Sequence, residues 1–152
     1  MRRLTIRHFA EFYVSWYPIV LFLIFQGCAV GMAVSRKAAF WSRAMVALVV
    51  ATFLAHVNRI FHFWPAHLVF PSGHMTFCLG LSVSLAMLRP WTLVATLPLV
   101  LVLATFLVAL HYHSKFDITG AFPLVLVVYG LIHRFWRLPS DAPLLDRGAV
   151  ST

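Results

Sequence analysis

The chain has 152 residues, 62% of them hydrophobic and only 11% charged, with a mean hydropathy of +0.90. One small globule cannot bury that much apolar side chain, which excludes a water-soluble fold and leaves the lipid bilayer to do the burying. The formal charge of +8 comes from 12 Lys and Arg against 4 Asp and Glu. It suits anionic headgroups or a phosphorylated substrate, whereas nucleic acid is not an expected partner because these cations flank apolar runs, where they snorkel and set orientation.

The apolar runs are continuous rather than alternating, so the spans are helices and not strands of a barrel. Residues 1 to 15 mix Arg2, Arg3, Arg7, His8 and Glu11 with Leu4, Ile6, Phe9, Phe12 and Tyr13, the composition of an amphipathic helix lying on the membrane surface. Met1-Arg2-Arg3 and the apolar run to Gly27-Cys28 have the outline of a lipoprotein signal, but Phe25-Gln26 fits the cleavage box badly and no cleavage is expected. The first span is expected from Trp16 to Val34, followed by a basic loop at Ser35-Arg36-Lys37 and a second span from Ala38 to His56. Asn58, Arg59, His62, Trp64, Pro65 and His67 then read as a polar and aromatic interfacial loop.

A third span, Gly73 to Leu88, opens after Pro71-Ser72, where a Ser can cap exposed helix N–H groups and set His74 in the first turn. Arg89-Pro90 turns the chain into a fourth span, Trp91 to Leu110, which tolerates the internal Pro98. His111 to Phe116 is a short polar loop. Asp117 stands where a cap belongs for the last span, Ile118 to Trp136, closed by His133, Arg134, Trp136 and Arg137, and residues 138 to 152 read as a disordered tail.

The expected fold is therefore all-α: a polytopic membrane bundle over residues 16 to 137 with about five transmembrane helices and an N-terminal interfacial helix. An odd number of spans puts the amino terminus and the loops at 57 to 72 and 111 to 116 on one side, so the two unusual loops face each other. Arg2, Arg3, Arg7, Arg59 and Lys115 fall on that face, against Arg36, Lys37, Arg43, Arg89, Arg134, Arg137 and Arg147 on the other. By the positive-inside rule the loops lie outside the cytoplasm. Cys28 and Cys78 lie inside apolar runs without metal-ligand spacing and read as packed thiols.

Between Phe12 and Ser140 the only acidic residue is Asp117, and a lone carboxylate at a bilayer edge either caps a helix or serves a function. His113 lies four residues before it, close enough for the carboxylate to hold one ring nitrogen while the other attacks phosphorus. Pro71-Ser72-Gly73-His74 adds a glycine allowing close backbone approach, a hydroxyl and a helix N-terminus, which together make an anion cradle. A protonated His74 could donate to a departing alkoxide. His111 competes with His113 but lacks the spacing to Asp117. His8 and His133 read as interfacial, while His56, His62 and His67 could support phosphate binding from the facing loop, although structural hydrogen bonding in the headgroup zone is the more frequent role of such histidines.

These two blocks, Pro71-Ser72-Gly73-His74 and His113-Ser114-Lys115-Phe116-Asp117, resemble the type 2 phosphatidic acid phosphatase family, over roughly residues 50 to 135. The four-residue block matches fully. The family's last motif, S-R-x5-H-x3-D, matches at His113 and Asp117, with Gly120 where the family often has glycine, but its Ser-Arg falls on Phe106-Leu107. The early K-x6-R-P motif has no clean copy. Lys37 and Arg43 have nearly the right spacing but fall on the opposite side, which leaves Arg59 and Lys115 as substitute cations.

The resemblance implies that His113 is the nucleophile, that Asp117 orients it, that His74 is the general acid, and that Ser72 and Gly73 contact phosphate. The expected activity is hydrolysis of a lipid phosphate or prenyl diphosphate through a phosphohistidine, with no cofactor. The same residues would serve a lipid phosphotransferase. Other readings are a degenerate lipid-binding member, or a metal or haem binder using His56, His62, His67, His111 and His113.

Overall fold

The computed structural model describes residues 2–30, 34–61 and 71–136. Among these the chain is helical and forms α1 (Arg2–Val30), α2 (Val34–Phe61), α3 (Gly73–Leu88), α4 (Thr92–Ala109) and α5 (Lys115–Phe135). Four of them hold segments long and apolar enough to cross a membrane: Thr5–Cys28, Ala39–Val57, Thr92–Ala109 and Lys115–Phe135. Their outward faces carry large apolar side chains, with Leu23 62%, Phe53 63%, Val94 79% and Leu126 65% exposed. Water would not tolerate such a belt but hydrocarbon does, so the chain is a helical bundle of an integral membrane protein.

The fifth helix, α3, differs from the others. Its 16 residues rise about 24 Å, short of the ~30 Å hydrocarbon core. All four other helices pack on it. Met75, Thr76, Cys78, Leu79, Gly80, Leu81, Ser82, Ser84 and Leu85 are buried, so protein covers nearly its whole circumference, as expected of a helix that is apolar on every side.

Small residues allow this central position. Thr76, Gly80 and Ser84 repeat every four residues on α3, and α2 brings Ala44, Ala47, Ala51 and Ala55 to the same core. A methyl group on Gly80 would stand 2.9 Å from Leu48 Cδ1 and 3.1 Å from Tyr129 Oη, so α2, α3 and α5 meet there too closely for any side chain. Tyr129 Oη donates to the Gly80 carbonyl at 2.8 Å and lies 2.9 Å from Ser84 Oγ, a buried polar tie between α5 and α3. On the other side Tyr13 of α1 donates to the Leu99 carbonyl of α4 at 3.0 Å, stacks on Tyr17 and meets Phe106 edge-on.

Several sequence-based boundaries move. α1 runs unbroken through residue 15, with Ala10 and Val14 buried in the bundle, so the N-terminal segment is continuous with the first span rather than a separate surface helix. Ser35-Arg36-Lys37 belong to the first turns of α2 rather than to a loop, since Arg, Lys and Ala are good helix formers and nothing there breaks the helix. Asn58 and Arg59 likewise continue α2, because no Pro or Gly intervenes before Pro65. α5 begins at Lys115, with Ser114 as its cap and Asp117 inside its first turn. The interfacial residues His62, Trp64, Pro65 and His67, along with Arg137, Arg147 and the tail, lie outside the described residues.

Candidate active site

Three short devices build one end of the bundle. At the start of α3, Ser72 Oγ accepts the Met75 N–H at 3.4 Å while the Ser72 carbonyl accepts from Thr76 N at 2.8 Å, fixing the helix N-terminus. At the start of α5, Ser114 and Asp117 form a reciprocal capping box: Asp117 N donates to Ser114 Oγ at 3.2 Å and Ser114 N donates to Asp117 Oδ2 at 2.9 Å. At the end of α4 the chain reverses through His111, whose φ of 58° puts it in the left-handed region, and Tyr112 N and His113 N both donate to the Leu107 carbonyl. A further bond, Ser72 N to the Asp117 carbonyl at 3.0 Å, ties the α3 and α5 starts together. The segments that carry His74 and His113 are thereby held side by side.

Between them lies a cavity of about 750 Å³ lined by Val14, Ser15, Ala55, His56, Pro71, Gly73, His74, Tyr112, His113 and Asp117. The start of α3 lies beside Val14 and Ser15 of α1 and His56 of α2, so these two helices run on beyond it. Val14 and Ser15 stand roughly 14 Å along the axis from Thr5, where the apolar segment of α1 begins, so the cavity lies beside the apolar stretch of α1. The N terminus of α1, the end of α2 and the α4–α5 turn share this end of the bundle, as the expected topology required.

Within it, His113 Nδ1 lies 3.7 Å from Asp117 Oδ2, longer than a hydrogen bond but within ion-pair reach of a protonated imidazole. Both side chains are about one-fifth exposed. Asp117 therefore serves as helix cap and as neighbour of His113 with the same oxygen. His74 sits in the first turn of the short central helix, outside the four long ones. Burial holds its imidazole below the usual range, and the nearby His56 adds to the effect.

The structure brings Gly73, His74, His113 and Asp117 into one cavity, but it does not bring in every predicted residue. Ser72 is fully buried and its hydroxyl is committed to the cap, so it stands behind the site rather than in it. Lys115 is exposed and lines a separate shallow depression between α4 and α5 with Ala104, Thr105 and Ile118; the capping box turns the first residue of α5 outward. Arg59 follows His56 by one turn on α2, but its side chain lies outside the described residues. Arg43 is 13 residues before His56, about 20 Å away along the helix, consistent with the opposite side. Phe106 packs on Phe9 and Tyr13, and Leu107 is fully buried, so the missing Ser-Arg positions belong to the core.

His56, read from the sequence chiefly as a structural histidine, also lines the cavity. Its Nδ1 lies 2.8 Å from the Thr52 carbonyl, and its ring rests on Gly73, where a methyl group would come within 2.6 Å of His56 Cε1. Gly73 is needed for the approach of this imidazole and not for an unusual backbone angle, since no described glycine has positive φ. A glycine directly after a Ser cap, with a histidine ending the preceding span, was the available signal. Among the described residues no group of three or more His, Cys, Asp or Glu side chains is arranged to hold a metal ion.

No protein-family model, curated protein or solved structure matches the chain.

Proposed function

We propose that this protein is an integral membrane phosphatase, of the type 2 phosphatidic acid phosphatase kind, that hydrolyses a lipid phosphate or prenyl diphosphate. The convergence of His74, His113 and Asp117 on one cavity at a helix N-terminus is the observation that supports it. His113 Nδ1 is the nitrogen toward Asp117, so Nε2 attacks phosphorus and forms the N–P bond as the P–O bond to the lipid breaks. The Asp117 carboxylate stabilises the imidazolium that develops on His113. His74, protonated once the anion is bound, gives its proton to the leaving oxygen. Water then attacks the phosphohistidine, His74 takes the proton back, and phosphate leaves with His113 neutral again.

Gly73 and His74, the first two residues of α3, line the cavity, so a phosphoryl group bound there would lie beside a helix N-terminus that favours its charge. The depth of the cavity supports a substrate whose tail stays in hydrocarbon while its headgroup reaches the histidines. In this reading the site faces the periplasmic or outer side of a bacterial inner membrane, in keeping with the cations expected at the other end.

The test is a panel of phosphatidic acid, phosphatidylglycerophosphate, prenyl diphosphates and lipid A, offered to purified protein in nanodiscs. At least one should release phosphate, vanadate should inhibit, and His113→Ala should be inactive with an unchanged melting temperature. Undiminished turnover in His113→Ala would reject the mechanism. Label appearing on an added alcohol instead of in free phosphate would make the protein a phosphotransferase using the same residues.

A further inference from the structure

The reaction above leaves one imidazole of the cavity without a role. A carbonyl oxygen can only accept, so the 2.8 Å contact with the Thr52 carbonyl puts the proton of neutral His56 on Nδ1 and leaves Nε2 as an acceptor. Packing fixes where that acceptor stands: Nε2 would be 3.2 Å from a methyl group on Gly73, so it lies against the first turn of α3, where helix N–H groups favour an anion. The described lining of the cavity holds the Asp117 carboxylate and no Lys or Arg. A terminal phosphate entering such a place brings more negative charge to a site that already has one, and the imidazoles are what the lining can protonate in response.

We propose that His56 is a substrate-binding residue of this site: as a phosphate enters, it takes up a proton on Nε2 and donates that N–H to a non-bridging phosphoryl oxygen. Nδ1–H stays on the Thr52 carbonyl throughout, which holds the ring plane. His56 thereby supplies on demand the positive charge that Leu107, locked in the core, cannot supply. The proposal rests on the phosphatase reading of the cavity. His56 contacts the start of α3 at Gly73 and lies near His74, and it shares the cavity with Tyr112 and His113 from the α4–α5 turn, Asp117 from α5 and Ser15 from α1.

Vanadate and inorganic phosphate are the probes, with binding to the full chain in nanodiscs measured by calorimetry from pH 5.5 to 8.5 in buffers of different ionisation heat. Wild type should bind more tightly as pH falls and should take up protons on binding. His56→Gln keeps polarity but cannot be protonated; it should weaken vanadate binding about 10- to 100-fold at pH 6 and take up one proton fewer. Gly73→Ala, which pushes the ring away without removing it, should weaken binding similarly. His56→Arg should bind with less dependence on pH than wild type. Wild-type affinity and unchanged proton uptake in a folded His56→Gln would overturn the proposal while leaving the phosphatase reading intact. His56-dependent vanadate binding with no turnover of any lipid phosphate would do the reverse. A wild type that binds neither probe would remove both.

Discussion

Asp117 holds two positions at once, and substitutions can separate them. Its Oδ2 caps the Ser114 N–H at 2.9 Å and faces His113 Nδ1 at 3.7 Å. Asn retains an oxygen that can accept from Ser114 N, so Asp117→Asn should keep the capping box and lose less than about 1 kcal/mol of stability. The charge does not survive the change. At 3.7 Å and an effective dielectric near 20, a carboxylate and an imidazolium attract by about 4 kcal/mol, and the one-fifth exposure of both partners brings this to roughly 2–4 kcal/mol. If that attraction develops with the imidazolium, turnover should fall roughly 30- to 1000-fold, mainly in kcat. Asp117→Ala should lose the cap as well and cost about 1–2 kcal/mol. Thermal unfolding of the three proteins in one detergent, beside initial rates on the best lipid phosphate, reads both effects. An Asp117→Asn protein with wild-type kcat would refute the electrostatic role and leave Asp117 as a helix cap alone.

Two further outcomes follow from the packing and from His74. Gly80→Ala forces a methyl group to 2.9 Å from Leu48 Cδ1 and 3.1 Å from Tyr129 Oη; it should destabilise the bundle by about 1–3 kcal/mol, measured by thermal unfolding, and Tyr129→Phe should relieve part of the loss. Because burial lowers the His74 value in the folded chain, the unfolded state binds the proton more readily below the ordinary imidazole value of about 6.5, and stability falls as pH falls through that window. A melting curve taken from pH 7.5 to 5.5 should decline, the decline should be shallower in His74→Asn, and saturating vanadate should reduce it in wild type.

The helical class, the membrane setting and the bounds of α3 were legible because they depend on long apolar runs and on one Ser cap, which are local features. The start of α5 was equally local: Ser114-Lys115-Phe116-Asp117 is the spacing of a capping box, and reading Asp117 as the cap shifted the helix start. The continuation of α2 through Arg59 was missed because polar residues near a span end were weighed as loop formers, although none of them breaks a helix. The pairing of His113 with Asp117 could be read from i,i+4 spacing. The sequence allowed His56 a place near the site without fixing it, because the contact of its ring with the α3 start depends on how closely α2 approaches α3, at the bare surface of Gly73 and at Gly80 two turns further on. Lys115 was misplaced for a similar reason: chain proximity to the site does not say which way a helix's first residue turns.

The length of α3 links the fold to the proposed chemistry. A helix that crosses lipid must match the bilayer thickness, whereas one sheathed by four others need not; the only large exposed apolar side chain on α3 is Met87, in its last turn. The sheath can therefore stand taller than its centre, and the missing height becomes a recess with a helix N-terminus for a floor. Which end of the bundle carries that recess is set with the bond from Ser72 N to the Asp117 carbonyl, which ties the start of α3 to the first turn of α5. His74 and His113 consequently border one space. A phosphate on a lipid could enter there from the surface while its chain remains in hydrocarbon. The cost of transferring the charged headgroup would then be met by N–H groups and protonated imidazoles rather than by bulk water.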